Sequence, residues 1–228
     1  IMEVQYITSD DTIIFGTKYN EQLDPELASN YKKIIFSNYE LSDGLLKAYE
    51  NNNWQKFKFM INEFNNSKFN NFKFMINEFN CPLSNSLNNC TSLTHIKFGY
   101  SFSHPLLHSL KNCTALTHIE FGYSFSHPLL DSLNNCTVLT HIKFGNCYNC
   151  SFDNCFDNCP LLIYLDLGYN FNQKCELPFN IKSIKLNCNN VYLVEHLPDT
   201  IEELELGSSF NLGLDNLPST IKKIKFYK

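Results

Sequence analysis

The sequence predicts an α/β solenoid, in which short β-strands stack into one parallel sheet and short helices or turns lie on the opposite side. Residues 93–115 and 116–138 are near copies that differ at only four of 23 positions. Apolar side chains recur at the first, fourth and sixth positions of these units and of others along the chain. A unit of this length can bury its apolar side only against its neighbours, so the chain should form one elongated stack.

Eleven such units fill most of the chain. We therefore predict an N-terminal cap segment at residues 1–9 and a single repeat solenoid at residues 10–228. The predicted first positions are Asp10, Tyr31, Trp54, Phe69, Leu93, Leu116, Leu139, Leu162, Ile181, Ile201 and Ile221.

The sixth position of the units predicts the core of the solenoid. Every unit carries Phe or Leu there, and strands stacked about 4.8 Å apart would bring these side chains into one continuous column. The members of the predicted column are Phe15, Phe36, Phe59, Phe74, Phe98, Phe121, Phe144, Leu167, Leu186, Leu206 and Phe226.

The segments that connect one strand to the next are expected to vary along the chain. In the 23-residue units, Ser103 and Pro105 stand where a short helix would begin, and Leu106, Leu107 and Leu110 should face inward. In the last units the sequences LPFN, LPDT and LPST favour extended or turn-like arms, because Pro restricts the residue before it.

Two further features lie in the first half of the chain. The apolar spacing over Glu40 to Asn51 predicts a longer helix. The unit that begins at Trp54 has only fifteen residues, so either it lacks an outer arm or the array is distorted there.

The motifs resemble known repeat families. The pattern LxxLxLxxN is typical of leucine-rich repeats, and residues 168–173, GYNFNQ, resemble the core of the FNIP repeat, a relative found in slime moulds and giant DNA viruses. The resemblance implies a right-handed horseshoe with a parallel sheet of about eleven strands on its concave face. Some members join the repeats to an F-box, but the nine residues before the first unit are too few for one. We therefore expect a bare recognition array.

The fifth position of the units faces outward on the predicted sheet and alternates in charge. We interpret this alternation as pairing between neighbouring strands, since like charges directly opposite each other are destabilising. The alternative is a charged binding stripe. The residues are Lys97, Glu120, Lys143, Asp166, Lys185, Glu205 and Lys225.

Three histidines occupy the third position, which also faces outward. His95, His118 and His141 should stack about 5 Å apart, and Tyr164 continues their line. Parallel stacking points the ring nitrogens alongside each other rather than at one point, so we expect a solvated row or a partner surface rather than a metal site.

The cysteines offer the one alternative metal site. Cys147, Cys150, Cys155 and Cys159 have the spacing CxxCx4CxxxC, which superficially resembles a zinc knuckle. However, Cys159 is the last of four cysteines that recur every 23 residues, after Cys90, Cys113 and Cys136. This recurrence predicts buried structural thiols. We therefore expect no metal and no other cofactor.

Composition limits the partners. The net charge is -5 and all 18 basic residues are lysines, so binding to nucleic acid is not expected. No apolar run is long enough to span a membrane, and no export signal opens the chain, so we expect a cytoplasmic protein that is not secreted. A monomer is the default, and an end-to-end dimer is the alternative.

No catalytic grouping stands apart from the repeat, so we predict a non-enzymatic module that binds a protein on the concave face and its rim, with host proteins as targets if the chain is viral. The alternatives are a structural or virion-associated repeat protein and the zinc module above. The predicted binding residues are His95, Lys97, Tyr100, His118, Glu120, Tyr123, His141, Lys143, Tyr164 and Tyr169.

Overall fold

A computed structural model describes residues 6–9, 11–15, 23–36, 80–84, 86–87 and 89–227. They form one ten-stranded sheet whose strands follow one another in chain order. The strands are β1 Tyr6–Ser9, β2 Thr12–Phe15, β3 Lys33–Phe36, β4 His95–Lys97, β5 His118–Glu120, β6 His141–Lys143, β7 Tyr164–Leu167, β8 Ser183–Leu186, β9 Glu203–Leu206 and β10 Lys223–Phe226. The short helices are α1 Pro25–Ser29, a 3-10 helix Leu130–Leu133 and α2 Val191–Glu195.

The sheet confirms the predicted solenoid. Strands β2 to β10 pair in parallel, and each repeat position lies opposite the same position of the next unit, as in the line His95, His118 and His141. Strand β1 departs from this arrangement because it pairs antiparallel with β2. The predicted cap segment therefore adds its last residues to the edge of the sheet.

The order of the strands in the sheet differs from the prediction in one place. Strand β3 pairs directly with β4, and Ile34 lies opposite Ile96. The sheet thus passes from the unit of Tyr31 to that of Leu93 without an intervening strand. The predicted units at Trp54 and Phe69, and the predicted helix over Glu40 to Asn51, lie outside the described residues.

The core contains the predicted column and a second one beside it. Phe98, Phe121 and Phe144 are at most 3% exposed, and their rings stack with centroids 5.6 and 5.5 Å apart. A parallel column at the tenth position was not predicted, although the repeated FGYSFS contains its signal. Its stacked, buried rings are Phe102, Phe125, Tyr148 and Phe171.

The last member of the predicted column is exposed. Phe226 keeps 71% of its surface in solvent because β10 is the edge strand of the described sheet. Each side chain of the column is thus buried by the neighbouring units rather than by its own unit, as expected for a repeat array.

The connecting arms differ from the prediction. Leu106 and Leu110 are buried, but Leu107 is 61% exposed, with a φ of 48° that turns it away from the core. Turns replace the helix expected at Ser103, whereas the next unit has the 3-10 helix. The turn-like arms are confirmed at the Pro residues, where Ile181 donates to the Pro178 carbonyl, but the unit of Ile181 also contains α2.

Glycines hold the strand ends close together. A Cβ atom on Gly122 would lie 1.7 Å from the Gly99 carbonyl oxygen, and one on Gly145 would lie 1.8 Å from that of Gly122. Such contacts are too short for any side chain, so the repeated Gly fixes the distance between turns. Among the described helices, none is long and apolar enough to cross a membrane.

The interior and the edge of the phenylalanine column give a matched test of packing. We expect Phe144→Ala to lower the free energy of unfolding by about 3–5 kcal/mol, because it leaves a cavity beside the stacked rings of Phe121 and Tyr148. Phe226→Ala, at the same repeat position but exposed, should change it by less than about 0.5 kcal/mol. Urea unfolding followed by circular dichroism measures both, and equal losses would contradict the stacked core.

Candidate functional site

The face of the sheet opposite the core carries most of the predicted binding residues, and we call it the exposed sheet face. Two rows run along it, one from the third and one from the fifth repeat position. The predicted residues on the strands are His95, Lys97, His118, Glu120, His141, Lys143 and Tyr164. Tyr100, Tyr123 and Tyr169 lie in the turns that follow the strands, at the rim of this face.

The histidines stack as predicted, and we call His95, His118 and His141 the histidine row. Successive ring centroids are 4.2 and 4.3 Å apart, with the planes within 10° of parallel. Tyr164 continues the row, with its ring centroid 5.3 Å from that of His141. The parallel strands impose this spacing on any side chain that the copied position carries.

A chain of threonine hydroxyls sets the protonation of the histidine row. Each Nδ1 lies 2.8–2.9 Å from Oγ1 of the preceding threonine. Each hydroxyl also donates its single proton to a carbonyl of the preceding unit, for example Thr117 to Thr94 at 2.9 Å. The hydroxyl can then only accept from Nδ1–H, so each neutral imidazole carries its proton on Nδ1 and presents Nε2 as an acceptor.

Burial and mutual repulsion keep the histidine row neutral. Burial, followed by the neighbouring His95 and His141, lowers the pKa of His118 to about 4. Burial also lowers the pKa of His95 and His141, and Lys33 adds to the effect at His95. The folded state therefore binds fewer protons than the unfolded chain between about pH 6.5 and 4, and the row costs stability as the pH falls through that range.

The fifth position forms the ion pairs that its alternating charge predicts. Glu120 Oε1 lies 3.2 Å from Lys97 Nζ and 2.9 Å from Lys143 Nζ. Burial opposes ionisation of Glu120, but the two lysines outweigh it and lower its pKa. The middle of the exposed sheet face thus carries charges that are already paired within the protein.

In the C-terminal half of the exposed sheet face, Tyr227 partly covers the row at the fifth repeat position. The Tyr227 hydroxyl donates to Glu205 at 3.0 Å, and Lys185 Nζ lies 4.9 Å from the centroid of the Tyr227 ring. Asp166 is only 3% exposed, accepts from Asn187 at 2.8 Å and has a pKa that burial raises to about 6 against the opposing lysines. The sequence did not predict this cover. Tyr227 stands at the seventh position, where Gly99, Gly122, Gly145, Gly168 and Gly207 stand in other units, but periodicity does not show what a side chain there contacts.

The middle of the same face remains open. A groove of about 370 Å³ runs over the strands from Lys33 to Tyr164, with the histidine row along it and the side chains of Lys97, Glu120 and Lys143 beside it. At the rim, the rings of Tyr100 and Tyr123 stack with centroids 4.6 Å apart and planes within 1°. Tyr169 is more than half exposed, on the turn of a later unit.

The cysteine cluster does not have the geometry of a metal centre. Cys155 and Cys159 are buried, whereas Cys147 and Cys150 are only partly so. Within the described part of the chain, no group of three or more His, Cys, Asp or Glu side chains could hold a metal ion. Burial raises the pKa of Cys159 to about 11, so this thiol is protonated near neutral pH, as expected of a buried structural cysteine.

Two further histidines, at the twelfth position of their units, have structural partners. His104 Nε2 lies 2.7 Å from the Asn80 carbonyl oxygen, and His127 Nε2 lies 2.9 Å from that of Ser103. Both rings therefore link one connecting arm to the preceding one, which explains their recurrence without a ligand.

The fold and its rows define the class of protein, a leucine-rich-repeat-like solenoid. The family model described as FNIP Repeat matches residues 171–209 and 189–228, so the C-terminal part of the chain carries repeats similar to that family. It is similar to a solved structure, described as "CroV588 a novel circular LRR protein structure", with a TM-score of 0.52 and 20% identity over 98% of this chain. The chain spans 41% of the length of that protein, and the likeness concerns the fold. No curated protein matches the sequence.

The protonation of the histidine row can be measured directly. We expect the His118 ring to titrate near pH 4 and to be a Nδ1–H tautomer above it. His95→Gln should raise the pKa of His118, because a protonated neighbour no longer repels its charge. Thr117→Val should abolish the tautomer preference, since Val offers no acceptor. Imidazole nitrogen and carbon chemical shifts followed against pH report both quantities, and titration of His118 at its ordinary pKa of 6.5 would contradict this account.

Proposed function

We propose that this protein is a non-enzymatic recognition module that binds another protein through the middle of the exposed sheet face. One observation carries this function: the groove over the histidine row is open, while Tyr227 contacts Glu205 and Lys185 over the fifth-position row of the later strands. A partner would therefore contact the units of Leu93 to Leu162 and their rim.

The chemistry of the groove suits a protein surface. Its rings are already stacked and its charges already paired, so a partner would order few side chains on binding. Aromatic side chains at the rim, Tyr100 and Tyr123, give contact area at low entropic cost. The Nε2 acceptors of the histidine row favour a partner that offers N–H or O–H donors.

The setting of this interaction is part of the same proposal. Within this proposal the protein is viral and acts on host proteins in the cytoplasm, a setting that the resemblance of its motifs to the FNIP repeats of slime moulds and giant DNA viruses favours. All ten cysteines are free thiols, which suits a reducing compartment.

Affinity capture with matched variants tests this function. The combined substitution Tyr100→Ala, Tyr123→Ala and His118→Ala should weaken binding of a captured partner at least about tenfold, because it removes the aromatic anchors. The control Leu107→Ala with Leu130→Ala removes two exposed apolar side chains from the connecting arms and should leave binding unchanged.

The partner, identified by mass spectrometry and purified, is then titrated against each variant by calorimetry. Unchanged affinity in the sheet-face variant, or an equal loss in the control, would show that the exposed sheet face is not the binding surface.

A further inference from the structure

A second groove lies on the side of the molecule formed by the connecting arms. It encloses about 480 Å³ between the arm that contains Phe152 and Phe156 and the later segment from Lys174 to Asn180. Phe156 lies at its base and is almost fully buried, whereas Phe179 at its edge is 75% exposed. Tyr192, on helix α2, also lines the groove.

The groove exists because the repeat shortens at this point. The unit from Leu139 has 23 residues and the next, from Leu162, has 19, so the second connecting arm is four residues shorter. In the longer units the eighteenth position places Leu110, Leu133 and Phe156 in one buried row. In the shorter unit the hydrogen bond from Ile181 to the Pro178 carbonyl corresponds to that from Leu162 to the Cys159 carbonyl. Phe179 therefore lies at the end of the shortened arm, where it is exposed and does not continue that row.

Acidic side chains surround the same groove. Asp153, Asp157 and Glu176 line it, against the single cation Lys174. Asp153 is engaged within the protein, where its carboxylate accepts from the Ser151 hydroxyl at 2.6 Å and from the Glu176 backbone at 3.3 Å. The lining therefore combines excess negative charge with apolar rings, one of which is exposed.

We infer that this groove binds a short polypeptide segment in which an apolar side chain is flanked by lysine or arginine. The apolar side chain would extend the row that ends at Phe156 and contact Phe179. The cationic side chains would meet Asp157 and Glu176, and an ammonium or guanidinium group could also lie over the Phe179 ring. This site is separate from the exposed sheet face and does not depend on its function.

Fluorescein-labelled hexapeptides provide the test. The probe carries Leu and Phe between lysines, a second peptide replaces the lysines with glutamates, and a third replaces Leu and Phe with serines. At low ionic strength the first peptide should bind at least about tenfold more tightly than the other two, measured by fluorescence anisotropy, because only it offers both apolar area and complementary charge.

Matched variants locate the binding. Phe179→Ala, and the pair Asp157→Asn with Glu176→Gln, should each weaken the first peptide about tenfold. Leu107→Ala and Asp199→Asn remove an exposed apolar and an exposed acidic side chain outside the groove and should have no effect. Circular dichroism and thermal unfolding confirm that each variant is folded. Equal binding of the three peptides, no binding at millimolar peptide, or equal losses in the control variants would overturn the inference.

Discussion

In-register pairing of parallel strands, one unit apart, is the constraint on which the rest of this structure depends. It places each repeat position directly beside its copies at the spacing of neighbouring strands. On one side of the sheet the constraint builds columns of stacked rings, and on the other it builds rows of polar side chains. The core is therefore continuous across units, and every inner unit relies on both neighbours for its burial.

The same constraint limits which positions can be copied. A repeated apolar ring gains a stacking partner, so Phe98, Phe121 and Phe144 are identical. A repeated charge would lie opposite the same charge on the next strand, which is destabilising. Accordingly, one of the four differences between the two near-identical units places Glu120 opposite Lys97. The histidines escape this limit because burial lowers their pKa values and so keeps them neutral. The row of Nε2 acceptors is thus a consequence of copying a titratable residue in register.

The sequence predicts best what periodicity controls. The parallel sheet, the phenylalanine column, the stacked histidines and the alternating ion pairs all follow from position within the unit. The direct pairing of β3 with β4 was not predictable, because periodicity marks candidate strands and does not show which of them pair. The outward Leu107 was also missed, since its left-handed backbone conformation depends on turn geometry that apolar spacing does not encode. The contacts of Tyr227 join residues that are distant in the sequence, which periodicity does not show. The groove between the connecting arms results from a change in the length of those arms.

Scalar couplings across hydrogen bonds test the register most directly. The structure places the Phe98 amide on the Glu120 carbonyl, the Phe121 amide on that of Lys143 and the Phe144 amide on that of Asp166, each at 2.8 Å. Nuclear magnetic resonance should detect a coupling between the amide nitrogen and the carbonyl carbon of each of these three pairs. Couplings from the same amides to carbonyls one or two residues away would show a shifted register, and the rows on both faces of the sheet would then not exist as described.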